Sequence, residues 1–178
     1  MLHQATSLQH GRSQSMLMGI SATSAVLLLP MLLRAQIPAP SAVVPLPGER
    51  VAAYAEAAMG TRVGRGECWD LAQYALNEAD ARWDGYYGFG EKLDTTKVPV
   101  QRGDIVQFES VEVERRTGST LTQETMGHHT AIVLTVGARG RYMLAHQNFG
   151  RGGRKVSRYE LVMADVKRGE ITFFRPLP

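Results

Sequence analysis

Cys68 is the only cysteine in 178 residues, so an intrachain disulfide and a cysteine-based zinc cluster are both excluded, and it acts as a thiol. It follows Gly64-Arg65-Gly66-Glu67 and opens a stretch of helical period. A cysteine at a helix start meets unpaired N–H groups and the positive end of the helix dipole, which favour the thiolate. The same N–H groups, that of Cys68 among them, suit the oxyanion of an acyl-transfer intermediate. A base is needed to take the thiol proton, and Gly127-His128-His129-Thr130-Ala131-Ile132-Val133 offers two at the start of a strand. Successive strand side chains point to opposite faces, so only one of the two imidazoles faces a helix packed on the sheet. His146-Gln147-Asn148 ends the next strand. Counting outward from a turn at Gly137–Gly140, with Val136 near Arg141, brings His146 and Asn148 level with Ala131 and His129. Either side chain would there orient the base, the third role of a triad.

These groups need two helices and a sheet to bring them together. Glu49–Met59 is alanine-rich, with Val51, Ala55, Ala58 and Met59 on one face and Gly60 as its stop. Glu67–Ala79 places Leu71, Ala72, Ala75, Leu76 and Ala79 along one buried stripe, with Cys68 in its first turn. Trp83–Gly90 reads as an aromatic loop punctuated by glycine. Beyond Arg102 the period falls to two. Asp104–Phe108, His129–Val136, Arg141–Gln147, Arg154–Tyr159 and Glu170–Phe174 read as strands, and the charged segment Glu109–Gly127 as a long hairpin or surface loop. Helices followed by strands give an α+β fold, with N-terminal helices on an antiparallel sheet of about five strands.

Composition bounds the rest. At 44% hydrophobic and 21% charged residues the chain is of ordinary globular make-up. The net charge of +3 shrinks to about +1 once the acid-free first 35 residues, with Arg12 and Arg34, are set aside, so basicity gives no argument for nucleic-acid binding. Six basic residues and no acidic one lie between Arg139 and Arg158, giving one edge a positive potential. Residues 1–35 read as a signal peptide or N-terminal anchor: a polar stretch, an apolar run at 16–33, then Leu33-Arg34-Ala35 before Gln36. A retained run would anchor the domain to a membrane, at the short end for spanning. Residues 36–48, with four prolines from Ile37 to Gly48, read as an extended spacer. The folded domain is expected over 49–178.

Cysteine at a helix start, histidine opening one strand and a polar group on the next resemble the circularly permuted papain-like cysteine hydrolases of the NlpC and CHAP families. Ala57–Thr61 with Gly66-Glu67-Cys68 and Leu71 resembles the NlpC approach to its nucleophile. Arg102–Phe108 is similar to the Gly-Asp-hydrophobic strand of both families, and His129–Val133 to their catalytic-histidine strand. His146-Gln147-Asn148 stands where CHAP members carry Glu-Gln-Asn and NlpC members a third histidine. Cys68–Ala72 also resembles the cysteine-proteinase-fold domain of fungal BBC/AIM-type proteins. The resemblance chooses His129 over His128 and implies a thiol amidohydrolase or peptidase acting on cell-wall peptide or amide bonds; with the leader, the domain is expected to be exported, and it is expected to be monomeric and cofactor-free. Cys68 would be its nucleophile, His129 its base, and His146 or Asn148 the orienting group. In the families, a small Ser-Gly pair usually follows the cysteine; Trp69-Asp70 stands there instead, and the Asp70 charge opposes a neighbouring thiolate. The alternative is an inactive papain-like fold that binds through the Trp83–Phe89 loop. A metal site of His128, His129 and His146 is disfavoured, because adjacent strand residues diverge.

Overall fold

The computed structural model describes residues 45–178. The leader and most of the spacer expected at 36–48 lie outside the described residues. Two helices, α1 (Pro47–Ala57) and α2 (Cys68–Glu78), precede a six-stranded sheet. Its strands are β1 (Glu91–Lys92), β2 (Ile105–Thr117), β3 (Thr120–Val136), β4 (Arg141–His146), β5 (Ser157–Val162) and β6 (Val166–Arg175), in the order β1-β6-β2-β3-β4-β5. Every neighbouring pair is antiparallel. No helix among the described residues is long and apolar enough to cross a membrane.

The helices follow the apolar pattern. Leu71, Ala72, Ala75, Leu76 and Ala79 are all buried, as the stripe requires. They pack with Val51, Ala52 and Ala55 of α1 against Ile105, Ile132 and Leu134 of the sheet. Alanine at most of these positions lets the helices approach closely, since it adds little volume and loses no rotamer freedom. α1 starts two residues before the expected boundary, taking in Pro47 and Gly48 from the spacer. Proline is tolerated there because an N–H in the first turn has no helical partner to lose.

The other face of the sheet carries a second core of Val106, Phe108, Val111, Val113, Met126, Val133, Leu144, Leu161 and Phe173. The charged segment 109–127 is a hairpin: β2 and β3 pair continuously to Thr117 and Thr120, with Val111, Val113 and Met126 turned inward. The sixth strand, β1, is two residues long and too short to show a period. β5 runs three residues later than Arg154–Tyr159, because Gly150–Gly152 forms a 3₁₀ turn and the chain reaches β4 only at Ser157. The β3–β4 register contains two departures that cancel. Val136 pairs with Tyr142 rather than Arg141, and an irregularity at Leu134 then restores the expected count at Ile132–Ala145. His146 therefore comes level with Ala131 after all.

Two contacts fasten α1 and the C-terminus to the residues that lead into β2. Arg102 donates to Glu49 (3.1 Å), to Glu56 (2.7 Å) and to the Leu134 carbonyl (2.9 Å). Buried Asp104 accepts from Arg175 and from the Gln101 N–H. Gly103 between them has φ +86°, and a side chain there would run into the Gly48 carbonyl at the start of α1. The Gly-Asp pair thus works as a docking point: no Cβ on one residue, a buried anion on the next. Gly103→Ala is expected to lower unfolding stability by about 3 kcal/mol, combining strain with overpacking. Gly118→Ala at the hairpin tip, with φ +59° and open space around it, should cost about 1 kcal/mol. Urea unfolding of the two variants measures the difference; equal losses would mean that the Gly48 contact does not impose the glycine.

Candidate functional site

The chain enters α2 through a tight turn that Asp70 organises. The Asp70 carboxylate accepts from the backbone N–H of Arg65 (2.7 Å) and of Glu67 (3.3 Å), and pairs with the Arg65 guanidinium at 2.7 Å. Gly64, at φ +56°, passes so close that a Cβ would sit 2.9 Å from the carboxylate. Burial raises the Asp70 pKa, but the bonds from Arg65 and Glu67 outweigh it and the net shift is downward. This corrects the expected effect of Asp70 on the thiol. Its charge is spent on Arg65 and the turn, and the carboxylate whose charge raises the Cys68 pKa is Glu67.

Cys68 itself is half-buried. Burial pushes its thiol pKa up, and hydrogen bonding from the backbone N–H groups of Thr130, Trp69 and Cys68 only partly offsets this. The depressed pKa expected from the helix dipole alone is therefore reversed, because desolvation outweighs it. The thiol opens into a cavity of about 470 Å³. Arg65, Glu67 and Asn148 form one rim, Trp69, Tyr86 and Tyr87 an aromatic wall, and His128 and His129 the side contributed by β3. Asp84 holds the aromatic loop by accepting from the N–H groups of Tyr86 (2.7 Å) and Gly88 (2.9 Å), and the Trp69 indole N–H donates to the Tyr86 carbonyl (2.7 Å). A larger cavity of about 570 Å³ lies between the start of α1 and the last four residues, with neither cysteine nor histidine in its lining. Its size does not make it the chemical site.

The two histidines diverge as the pleat demands. His129 joins Phe108 and His146, with ring centroids 6.0 and 5.3 Å away, and its Nε2 lies 3.1 Å from His146 Nδ1. Phe149 covers both rings, and His146 Nε2 is 3.3 Å from the Ser157 hydroxyl. His128 instead stands edge-on to Tyr87 and meets the Glu109 carboxylate at 2.8 Å.

Between the two proposed orienting groups the geometry discriminates. His146 touches His129. Asn148 does not: at φ +62° it leaves the strand, which ends the alternation that would align it with His146. Its amide donates to Glu67 (2.5 Å). The residue between them, Gln147, is fully buried and binds Val63 N, Val63 O and Glu67 O at 2.7–3.1 Å. Sequence reasoning missed Gln147 and Glu109 as parts of the site, and had Tyr87 only within the Trp83–Phe89 loop offered as a binding surface. Gln147 carried no signal setting it apart from its polar neighbours His146 and Asn148, and Glu109 becomes visible only once the β2–β3 register is known.

The family model described as the AIM3/BBC1 cysteine proteinase-fold domain matches residues 46–178. Altered inheritance of mitochondria protein 3 of Debaryomyces hansenii is 28% identical over 149 residues, spanning 74% of this chain and 16% of that protein. The crystal structure of Ly7917 aligns with a TM-score of 0.45 at 20% identity, covering 71% of this chain and 62% of its own. The structure of Ly7917 with the hydrolyzing product of MDP gives 0.47 at 21%, covering 72% and 62%. The family match runs from the residue before α1 to the last residue of β6 and its tail, and takes in both helices and the whole sheet. The chain belongs to the AIM3/BBC1 cysteine proteinase-fold domain family.

Proposed function

We propose that this domain is an exported thiol amidohydrolase or peptidase with Cys68 as nucleophile. The observation that carries this reading is the single cavity at the start of α2, onto which the thiol and the imidazoles of β3 both open. An imidazole takes the S–H proton while the sulfur electron pair forms a bond to the amide carbonyl carbon. The N–H groups at the start of α2 receive the developing oxyanion. Collapse expels the amine, which leaves with the proton from the imidazolium, and water then releases the acyl group from sulfur. In the assignment drawn from the NlpC and CHAP resemblance, the base is His129. Its Nε2 lies 3.1 Å from His146 Nδ1, and it lines the same cavity as Cys68. Export rests on the leader-like residues 1–35, and a peptide or peptidoglycan-like substrate on the same resemblance.

A second reading, a binding module without turnover that recognises its partner through the Trp83–Phe89 loop, is favoured by the protonation states. Burial raises the thiol. Burial, then the charges of His146 and His128, lowers His129 to about 3, and burial lowers His146 to about 4. Near neutral pH these groups rest as thiol and neutral imidazoles, not as a preformed ion pair.

Cys68→Ala separates the two. Hydrolysis of peptide amides by the full chain should fall at least about 1,000-fold, with the circular dichroism spectrum unchanged. Equal turnover by both proteins, or none by either, would sink the hydrolase. Partner binding that survives the substitution would leave the module standing. The buried pair also predicts an acid-sensitive fold. Both folded-state pKa values lie below the ordinary value of 6.5, so the unfolded chain binds more protons between about pH 6.5 and pH 3. Stability is full above that window and should fall within it by up to about 1.4 kcal/mol per pH unit for each imidazole. Urea midpoints at pH 7 and pH 5 measure the slope. The double variant His129→Gln, His146→Gln should flatten it; an unchanged slope would place its origin elsewhere.

A further inference from the structure

The two imidazoles that reach the cavity differ in what proton transfer requires. His129 is buried among Phe108, Phe149 and His146, and one of its nitrogens is already engaged. His128 lies on the opposite face of β3, the face shared with Thr130 and Ile132 against which α2 packs. Its side chain is 48% exposed, and its Nδ1 meets the carboxylate of Glu109, its cross-strand partner on β2, at 2.8 Å.

A continuous chain of contacts runs from this pair back to the sulfur. Gln107, on the same face of β2, donates to Glu109 at 3.0 Å and accepts from the Thr130 hydroxyl at 2.6 Å. The backbone N–H of that same Thr130 is one of the groups that draw the Cys68 pKa down against the effect of burial. Tyr87 closes the arrangement from the aromatic loop. Its ring is 4.6 Å from that of His128, and it lines the same cavity as Cys68. Gln107 also approaches His128 Nδ1, at 3.4 Å; the tautomer that donates Nδ1–H to Glu109 leaves Nε2 as the acceptor that a base requires.

We infer that His128, held by Glu109, exchanges the proton with Cys68, and that His129 and His146 form a buried pair that shapes the strand. This rests on the reading of Cys68 as nucleophile. In the step, His128 Nε2 takes the S–H proton, the sulfur keeps the bonding pair and attacks the carbonyl carbon, and the imidazolium is stabilised by the Glu109 carboxylate. The proton then goes to the nitrogen of the departing amine. The titratable groups facing His128 are Glu109 from β2, Tyr87 from the aromatic loop, Cys68 and Glu67 from the start of α2, and His129 beside it on β3.

The test is the rate of Cys68 alkylation by iodoacetamide against pH, on the full chain and on His128→Gln, His129→Gln and Glu109→Gln. At pH 7 His128→Gln should slow the reaction about tenfold or more, whereas His129→Gln stays within about threefold of the wild type. Glu109→Gln should shift the acid-side inflection down by about one pH unit, since the imidazolium loses its counter-charge. As a substitution at a half-exposed position it keeps a readout should either histidine variant fail to fold. A reactive wild-type thiol whose rate follows His129, or an inflection indifferent to Glu109, overturns the assignment alone. A wild-type thiol no more reactive than glutathione at any pH overturns the nucleophile as well.

Discussion

The buried carboxamide of Gln147 fixes where the thiol stands relative to the sheet. Its oxygen accepts the Val63 N–H, and its nitrogen donates to the carbonyls of Val63 and Glu67, residues 84 and 80 positions away in the chain. One acceptor and both donors are used, so the side chain has a single orientation that satisfies it. Leaving such groups unpaired in the interior costs about 1–3 kcal/mol each, which makes the cross-link hard to break piecemeal. Asn148 and Arg154 add to it from the same loop by binding the Glu67 carboxylate. The segment before α2 is thus tied to the end of β4, and the distance from Cys68 to the histidines of β3 follows from that tie.

The sheet in turn separates two electrostatic environments by the thickness of one strand. On one side His129 and His146 lie under Phe149 and beside Tyr159, where desolvation keeps both imidazoles neutral. On the other, His128 is half-exposed at the cavity beside Cys68 and pairs with Glu109, which buried Gln107 also binds. Adjacent residues of identical chemistry thereby acquire different surroundings. The difference comes from the pleat and from nothing in their side chains.

The apolar stripe of α2, its start at Cys68, the Gly-Asp entry to β2 and the β3–β4 turn were legible because each is a local pattern: a period, a cap or a glycine. The choice of His146 over Asn148 was not, since it depends on Asn148 adopting a left-handed conformation that ends the strand. Asp70 was misjudged for a related reason. Its proximity to the thiol is visible in the sequence, whereas its neutralisation by Arg65 depends on how the glycine turn folds back. Glu109 lay in a segment whose charge gave loop and hairpin equal standing. Its pairing with His128 is a fact of register, which is set by the buried Val111, Val113 and Met126 rather than by the polar residues themselves.

The irregularity at Leu134 sits between the Gly137–Gly140 turn and the paired residues Ile132 and Ala145. It acts as a slip joint. Residues gained or lost at the turn can be taken up within the four positions from Val133 to Val136, and the histidines below are spared a one-residue shift that would turn each to the opposite face. A one-residue change at the turn could thus be absorbed above Val133 without altering how His129 and His146 meet across the sheet.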